Sequence, residues 1–331
     1  MSYRLPLIPY LRLKFLMRSE KDAVLPITKA SMLRGAFGHA FRRTVCVMAR
    51  DQSCESCMLK KQCAYTKIFE TFVEGEPPPF LNGLKTSPRP FIIDACDLKA
   101  EYAAGDLLEF DVTLLGRACE LHPYVIFAFA LAAERGFARK RYSFQLERVD
   151  WHDKSWKLLY DGQKQCLCHT AIPTIGLKNS PLPSPLCLKF LTPTRLKVDN
   201  KLTMEFTFRV LVFKMLRRIL ELAYFHVPDA RPDWNFHELL VNADEIKMTK
   251  NKLYWDDWQR YSNRQKSKLD MGGFFGEIVL EGDLEPFNDV LRMSEVVHVG
   301  KGTVFGLGKM RLESLSNPPV VPPGTGPGQA L

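Results

Sequence analysis

The sequence of 331 residues lacks an uninterrupted apolar run of about 18 residues or more, so no membrane-spanning helix is expected. It also lacks a stretch resembling a signal peptide, because arginines and prolines interrupt the first apolar segment. Without an export signal, the nine cysteines are expected to be free thiols or metal ligands. We therefore expect a cytoplasmic location and no disulfide framework.

Acidic side chains are scarce in the first part of the chain. Residues 1–70 hold 13 Lys and Arg against 5 Asp and Glu, and no acidic residue lies between Asp22 and Asp51. This segment therefore carries +8 of the total net charge of +9. Such an uneven basic region is typical of a protein that binds a polyanion, although a solvated basic face would have the same composition.

The glycine-rich segment VGKGTVFGLGKM, residues 299–310, lacks the spacing of both common nucleotide-binding motifs. A P-loop would need a glycine in place of Glu295 and a Ser or Thr in place of Gly302. A dinucleotide fingerprint would need its third glycine one residue before Gly306. We predict instead a loop whose backbone approaches an anion closely, with a glycine-rich turn needed only for packing as the alternative.

The hydrophobic pattern predicts the order β-α-β-β-α-β twice, which is the order of a ferredoxin-like unit. In residues 1–180 the predicted segments are strand 11–18, helix 27–50, strands 91–96 and 107–116, helix 122–137 and strand 141–149. In residues 181–316 they are strand 186–198, helix 202–225, strands 245–255 and 272–282, helix 284–297 and a last strand after the glycine-rich segment. The predicted fold class is therefore α+β, with two tandem ferredoxin-like (RRM-like) domains. A cysteine-rich insertion (46–65) is expected in the first domain, and a disordered tail at 317–331.

The first predicted helix separates apolar from basic side chains. At roughly 100° per residue, the apolar face comprises Leu33, Phe37, Phe41, Thr44 and Met48. The opposite face comprises Gly35, His39, Arg42, Arg43, Cys46 and Arg50. Histidine titrates near neutral pH and can transfer a proton at a bound phosphate that arginines stabilise. A surface histidine with no task is the alternative.

Four cysteines at the end of this predicted helix and after it have the spacing C-x7-C-x2-C-x5-C: Cys46, Cys54, Cys57 and Cys63. Four thiolates are enough for tetrahedral zinc or for an iron–sulfur cluster, and the spacing leaves the choice open. Because four cysteines leave no free coordination position, we predict a structural metal site that braces the helix. A redox enzyme or metalloenzyme is disfavoured for the same reason, and four unliganded thiols remain the alternative.

Three stretches resemble one known family. MLRGAFGHAFRR (32–43), RYSNRQKSKLDMGGFFGEIVLEGDL (260–284) and HVGKGTVFGLGKM (298–310) are similar to segments of the CRISPR precursor-RNA processing endoribonucleases of the RAMP superfamily. The resemblance implies two ferredoxin-like domains with a cleft between them and CRISPR repeat RNA as substrate. It also implies metal-independent cleavage, in which a 2′-hydroxyl attacks the adjacent phosphate and leaves a 2′,3′-cyclic phosphate end.

The resemblance and the helix pattern together assign roles to residues. His39 is expected to act as general acid or base, with Arg42 and Arg43 at the phosphate, whereas His298 is expected in a strand that supports the loop. The expected RNA-binding residues are Arg34, Arg260, Arg264, Gly300, Lys301, Gly302, Gly306, Gly308 and Lys309. No cofactor is expected for catalysis, and other CRISPR effector subunits are possible partners. The alternative function is a RAMP subunit that binds CRISPR RNA without cutting it.

Overall fold

The computed structural model describes residues 4–49, 52–73, 77–78, 81, 84, 86–95, 97–168, 170–175, 181–257, 259–262 and 267–315. The predicted tail at 317–331 lies outside these residues. The predicted domain boundary after residue 180 adjoins 176–180, which also lie outside them, and it stays a prediction. None of the helices in the described ranges is long and apolar enough to cross a membrane.

The first half of the chain forms a six-stranded antiparallel sheet with two helices packed against it, and β2 and β4 pair in a separate two-stranded sheet. Its elements are β1 Tyr10–Ser19, β2 Ala23–Val24, α1 Lys29–Val45, β3 Phe91–Asp94, β4 Glu101–Tyr102, β5 Leu107–Leu115, α2 His122–Glu134, β6 Phe144–His152, β7 Trp156–Asp161 and β8 Cys166–Leu167. The sheet order is β3-β5-β1-β6-β7-β8. The first four of these strands and the two helices form the predicted ferredoxin-like unit, and β7 and β8 extend its edge.

The second half repeats this arrangement. Its elements are β9 Leu186–Thr194, β10 Leu196–Val198, β11 Lys201–Thr203, α3 Phe208–His226, α4 His237–Ala243, β12 Lys247–Asn251, β13 Tyr254–Asp256, β14 Gln259–Ser262, β15 Ser267–Asp270, β16 Gly273–Glu281, α5 Asn288–Val297 and β17 Met310–Ser314. The sheet order β12-β16-β9-β17 matches that of the first four strands above, so the tandem ferredoxin-like fold is confirmed. Helix α4 and the hairpin β14–β15 were not predicted.

Helix α1 is shorter than its pattern predicted. It ends at Val45 because Cys46 adopts an extended backbone conformation, with φ −91° and ψ 120°. Met48 therefore does not belong to the apolar stripe, and the prediction that Cys46 lies on the helix face of His39 is wrong. The predicted stripe holds over the helix itself, since Leu33, Phe37 and Phe41 are at most 1% exposed. Buried together with α2 and the sheet, these side chains fix which face of α1 remains in solvent.

The two halves contribute side chains to each other's cores. Ile92 of β3 and Leu115 of β5 pack in the hydrophobic cluster built around α3. In return, Val304 and Phe305 of the glycine-rich segment pack against the core of the first half. These reciprocal contacts bring the segment between α5 and β17 against α1 and β3 of the other half.

Candidate active site

The glycine-rich loop, residues 298–309, lies at the junction of the two halves. A short helical turn within it, Thr303–Phe305, contacts both α1 and β3. Phe305 lies near Arg34 of α1, whose guanidinium carbon is 5.9 Å from the Phe305 ring centroid and 4.4 Å from that of Phe69. Arg34 therefore links helix α1 to the loop, which places the two predicted site regions side by side.

All four loop glycines adopt a left-handed backbone conformation, with φ values of 84°, 80°, 75° and 72° at Gly300, Gly302, Gly306 and Gly308. A Cβ would also come closer than 3.0 Å to another atom at all four positions, and that atom belongs to the backbone at Gly300, Gly306 and Gly308. A Cβ at Gly300 would lie 2.6 Å from the Arg195 carbonyl oxygen, and one at Gly308 would overlap the Val299 carbonyl. The fold itself thus requires these glycines, so their presence alone does not separate a binding role from a packing role.

Backbone amides of the loop already donate hydrogen bonds within the protein. The N–H of Lys301 donates to the Arg195 carbonyl at 3.0 Å, and that of Gly308 donates to Pro193 at 3.0 Å. The N–H of Lys309 donates to Thr192 Oγ1 at 2.9 Å. These three amides hold the loop on the end of β9 and on Arg195, the residue that follows it. An anion would have to use other donors, such as the exposed Lys301 side chain.

Lys309 and His298 hold the base of the loop. Lys309 Nζ lies 2.5 Å from Asp94 Oδ2, an ion pair that joins the two halves. His298 was predicted to lie in a strand. It instead caps the C-terminus of α5, with φ 60°. Its ring is 5% exposed, and its Nδ1 donates to the Leu307 carbonyl at 3.1 Å. His298 thus supports the loop from within and does not face solvent.

His39 lies on the exposed side of α1, as predicted. It follows Arg34 by five residues, or about 7.5 Å along the helix axis and about 140° around it, so the two side chains leave α1 on different sides. The two glycines near it differ. A Cβ at Gly35 would meet no heavy atom within 4 Å, whereas one at Gly38 would overlap the Phe69 ring. The surface beside Gly35 and His39 is therefore open, but Gly38 is needed for packing.

The two arginines after His39 have different surroundings. Arg43 is exposed and lies one helical turn beyond His39. Arg42 is half-buried, and its Nη2 donates to the Gln52 carbonyl at 2.7 Å. Its guanidinium also lies 5.9 Å from the ring centroid of Tyr65. Arg43 is therefore better placed to meet a bound phosphate, while Arg42 holds the cysteine-containing segment against α1.

The four cysteines after α1 are partly buried. Within the part of the chain that the structure describes, no three His, Cys, Asp or Glu side chains are placed to hold one metal ion. The prediction of structural zinc or an iron–sulfur cluster is therefore not supported. The cationic Arg42 side chain hydrogen-bonds Cys46 and lies close to Cys54. Burial raises the pKa of Cys54, while the neighbouring Arg42 guanidinium acts in the opposite direction.

Three residues of the site were missed by sequence reasoning: Asp94, Arg195 and Arg218. The first two hold the loop as described above, and Arg218 Nε donates to the Val297 carbonyl at its base, at 2.6 Å. Of the predicted RNA-binding residues, Arg264 lies outside the described residues, and only the backbone of Arg260 is described, in β14. Their predicted roles stay predictions.

The buried histidines at this junction predict acid sensitivity. Burial lowers the pKa of both His226 and His298 to about 4, while the unfolded chain titrates near 6.5. Between these values the unfolded state binds more protons, so stability is full above pH ~6.5 and is lost as the pH falls toward 4. We expect the melting temperature to fall steeply over this window. His298→Gln, whose amide can still donate, should show a shallower fall, and equal slopes would contradict this account.

Comparison with known proteins agrees with this architecture. The family model of the CRISPR-associated endoribonuclease Cas6 matches residues 188–310, and a model described as an N-terminal domain matches residues 7–172. No curated protein matches the sequence. Two ferredoxin-like domains that share a glycine-rich loop define a RAMP protein. Within that class, residues 188–310 match the Cas6 family of CRISPR-associated endoribonucleases.

Solved structures share the fold at low sequence identity. A Thermus thermophilus Cas6 in its product complex has a TM-score of 0.56 and 18% identity, over 92% of this chain and 100% of that one. Another structure of Thermus thermophilus Cas6 has a TM-score of 0.51 and 16% identity, covering 92% and 99%. A partial Cas6-RT-Cas1–Cas2 complex has a TM-score of 0.54 and 16% identity. There the match covers 95% of this chain and 48% of the other.

Proposed function

We propose that this protein binds CRISPR repeat RNA and cuts the precursor transcript by metal-independent attack of an RNA 2′-hydroxyl. The match of residues 188–310 to the Cas6 endoribonuclease family supports the substrate and the reaction class. The observation that carries the proposal is the exposed His39 on α1, the helix that Arg34 joins to the glycine-rich loop. A bound RNA touching the loop's Lys301 and passing along α1 would reach this histidine.

In the proposed reaction, a bond forms between the 2′-oxygen and phosphorus while the bond from phosphorus to the 5′-oxygen breaks. One proton leaves the 2′-hydroxyl and another reaches the departing 5′-oxygen, and His39 transfers one of these two. Arg43, one turn further along the same exposed face, would stabilise the charge that develops on the phosphate. The products are a 2′,3′-cyclic phosphate and a 5′-hydroxyl end, and no metal ion is needed because the nucleophile belongs to the RNA.

Cleavage in the presence of a chelator tests this proposal. Purified protein with a transcript of the repeat from its own array is expected to cut it in excess EDTA and to leave a cyclic phosphate, identified by analysis of the product ends. An RNA with a single 2′-deoxy nucleotide at the cut site should bind with unchanged affinity and stay whole. Binding of the all-ribose RNA without any cleavage would instead support the non-cutting RAMP subunit.

Other CRISPR proteins are proposed as further partners. The chain shares its fold with the Cas6 part of a complex that also contains Cas1 and Cas2. Repeat RNA remains the partner that the site itself supports best, because the loop, Arg43 and Lys301 offer positive charge and little apolar surface.

A further inference from the structure

A cavity of about 590 Å³ lies between the two halves, away from the glycine-rich loop. Helix α3 runs from the base of the glycine-rich loop to this cavity. Arg218 bonds the carbonyl at the base of the loop, and His226, eight residues later, lines the cavity and donates to the Pro88 carbonyl at 2.6 Å. Eight residues of helix span about 12 Å. The cavity and the base of the loop therefore lie at two levels along α3.

The cavity is strongly basic. Its charged lining comprises Lys60, Lys61, Lys67, Arg117, Arg231 and the single acidic residue Asp229. No ion pair in the described ranges joins any of these five cations to a carboxylate. Three of them belong to the segment that contains the cysteine cluster, and they lie opposite the end of α3. The fold thus gathers positive charge from both halves at one place.

One of these cations is left without its hydrogen bond. Arg117 Nε is enclosed by the protein and has no hydrogen-bond partner among the described residues. An enclosed donor without a partner is unfavourable, and like charges gathered at one site repel each other. A bound anion would relieve the repulsion, because it neutralises the cluster. The arrangement is therefore that of an anion site.

Aromatic side chains accompany the charges. Phe72, Tyr224 and Phe225 also line the cavity, with Tyr224 and Phe225 in edge contact at 4.9 Å between ring centroids. Basic side chains beside aromatic rings are the combination that single-stranded nucleic acid uses, since phosphates meet the charges and bases stack on the rings. A separation of about 12 Å from the loop level corresponds to roughly three or four stacked nucleotides.

We propose that this cavity binds phosphate groups of the single-stranded RNA segment that adjoins the cleavage site. The proposal rests on the RNA-processing function proposed above and adds a second anchor to it, separate from the loop and from His39. The lysines that follow α1 thereby acquire a role in substrate binding that does not depend on metal binding by the neighbouring cysteines.

Salt-dependent RNA binding by two matched triple variants tests this second anchor. The cavity variant is Lys60→Gln/Lys61→Gln/Lys67→Gln, and the control is Lys140→Gln/Lys154→Gln/Lys164→Gln, which removes three exposed lysines elsewhere. With repeat RNA carrying a 2′-deoxy nucleotide at the cut site, the cavity variant should bind about tenfold more weakly or worse at low salt. For the cavity variant, the slope of log affinity against log salt concentration should be less steep by about two, because each lost phosphate contact contributes about 0.7. The control should match the wild type.

Two further binding experiments identify which phosphate groups the cavity binds. RNAs shortened on one or the other side of the cut are compared, and one of them should bind the wild type and the cavity variant equally well. If neither truncation removes the difference, or if both triple variants behave alike, the proposal is wrong. Inorganic phosphate that binds the wild type more tightly than the cavity variant, with RNA affinity unchanged between them, would make this a small-anion site and also overturn it.

Measuring the cleavage rate separates a failure of this RNA-anchoring proposal from a failure of the proposed nuclease function. At saturating RNA the cavity variant should cut at the wild-type single-turnover rate, because the lysines only anchor the substrate. A protein that binds RNA but never cuts it would overturn the nuclease proposal and leave the salt comparison valid. Melting curves of both triple variants at neutral pH establish that each is folded, and Arg231→Gln, an exposed single change, provides a milder version of the same test.

Discussion

Replacing His39 with alanine is expected to slow single-turnover cleavage of repeat RNA by roughly 10²–10⁴-fold, the usual loss when a general acid or base is removed. RNA affinity should barely change, because phosphate contacts dominate such an interface and a histidine contributes little to them. The rate is measured with enzyme in excess over RNA, so that product release does not limit it. Because the His39 side chain is exposed, the substitution should leave the folded structure intact.

His298→Gln is the matched comparison. His298 is buried and donates to the Leu307 carbonyl, so its replacement should act through stability and the shape of the loop, with a much smaller effect on the rate. If His298→Gln abolished cleavage in a folded protein while His39→Ala left it intact, the site would lie at the loop and the assignment of α1 would fail. If neither substitution mattered, the enzyme would act without either histidine as a proton-transfer group.

Gly308→Ala is expected to destabilise the protein by at least about 3 kcal/mol. The residue has φ 72°, where a Cβ costs roughly 1–2 kcal/mol, and the added methyl would overlap the Val299 carbonyl oxygen. Because Val299 and Gly308 also share a backbone hydrogen bond of 3.0 Å, the overlap falls on the closure of the loop. Urea unfolding monitored by circular dichroism measures the effect.

Gly35→Ala serves as the control for this change. Gly35 lies inside α1 with open space around it, so alanine should stabilise the helix by about 0.5–1 kcal/mol. The same glycine-to-alanine exchange should thus have opposite signs at the two positions. A Gly308→Ala protein as stable as the wild type would show that the loop tolerates a side chain and that its glycines serve the ligand alone.

Periodicity predicted much of the fold. The apolar stripe of α1 and the alternation in the strands were enough to establish the repeated β-α-β-β-α-β order. The end of α1 was placed too late because Val47 and Met48 continue an apolar pattern, while the chain turns extended at Cys46. Helix α4 was missed because its seven residues, His237–Ala243, span only about two turns.

The site was only partly predictable for a different reason. The exposed position of His39 follows from helical spacing within one element, and the structure agrees. The partners of the loop do not follow from local pattern: Lys309 and Asp94 are 215 positions apart in sequence. Whether the loop glycines face a ligand or the protein depends on such distant contacts, so the sequence could not distinguish a binding loop from a packed turn. The cysteine spacing shows the same limit, since it could not reveal that Arg42 lies against the thiols.

The reciprocal packing of the two halves has a consequence for the order in which the site is assembled. His39 belongs to the first half and the loop to the second, and a ribosome reaches Gly300 about 260 residues after His39. Until Val304 and Phe305 dock against the first core, the histidine has no neighbouring loop to position an RNA. A nascent chain therefore exposes the proposed proton-transfer group before it has the surface proposed to direct that group to a phosphate, and the proposed site is complete only once the second half has folded.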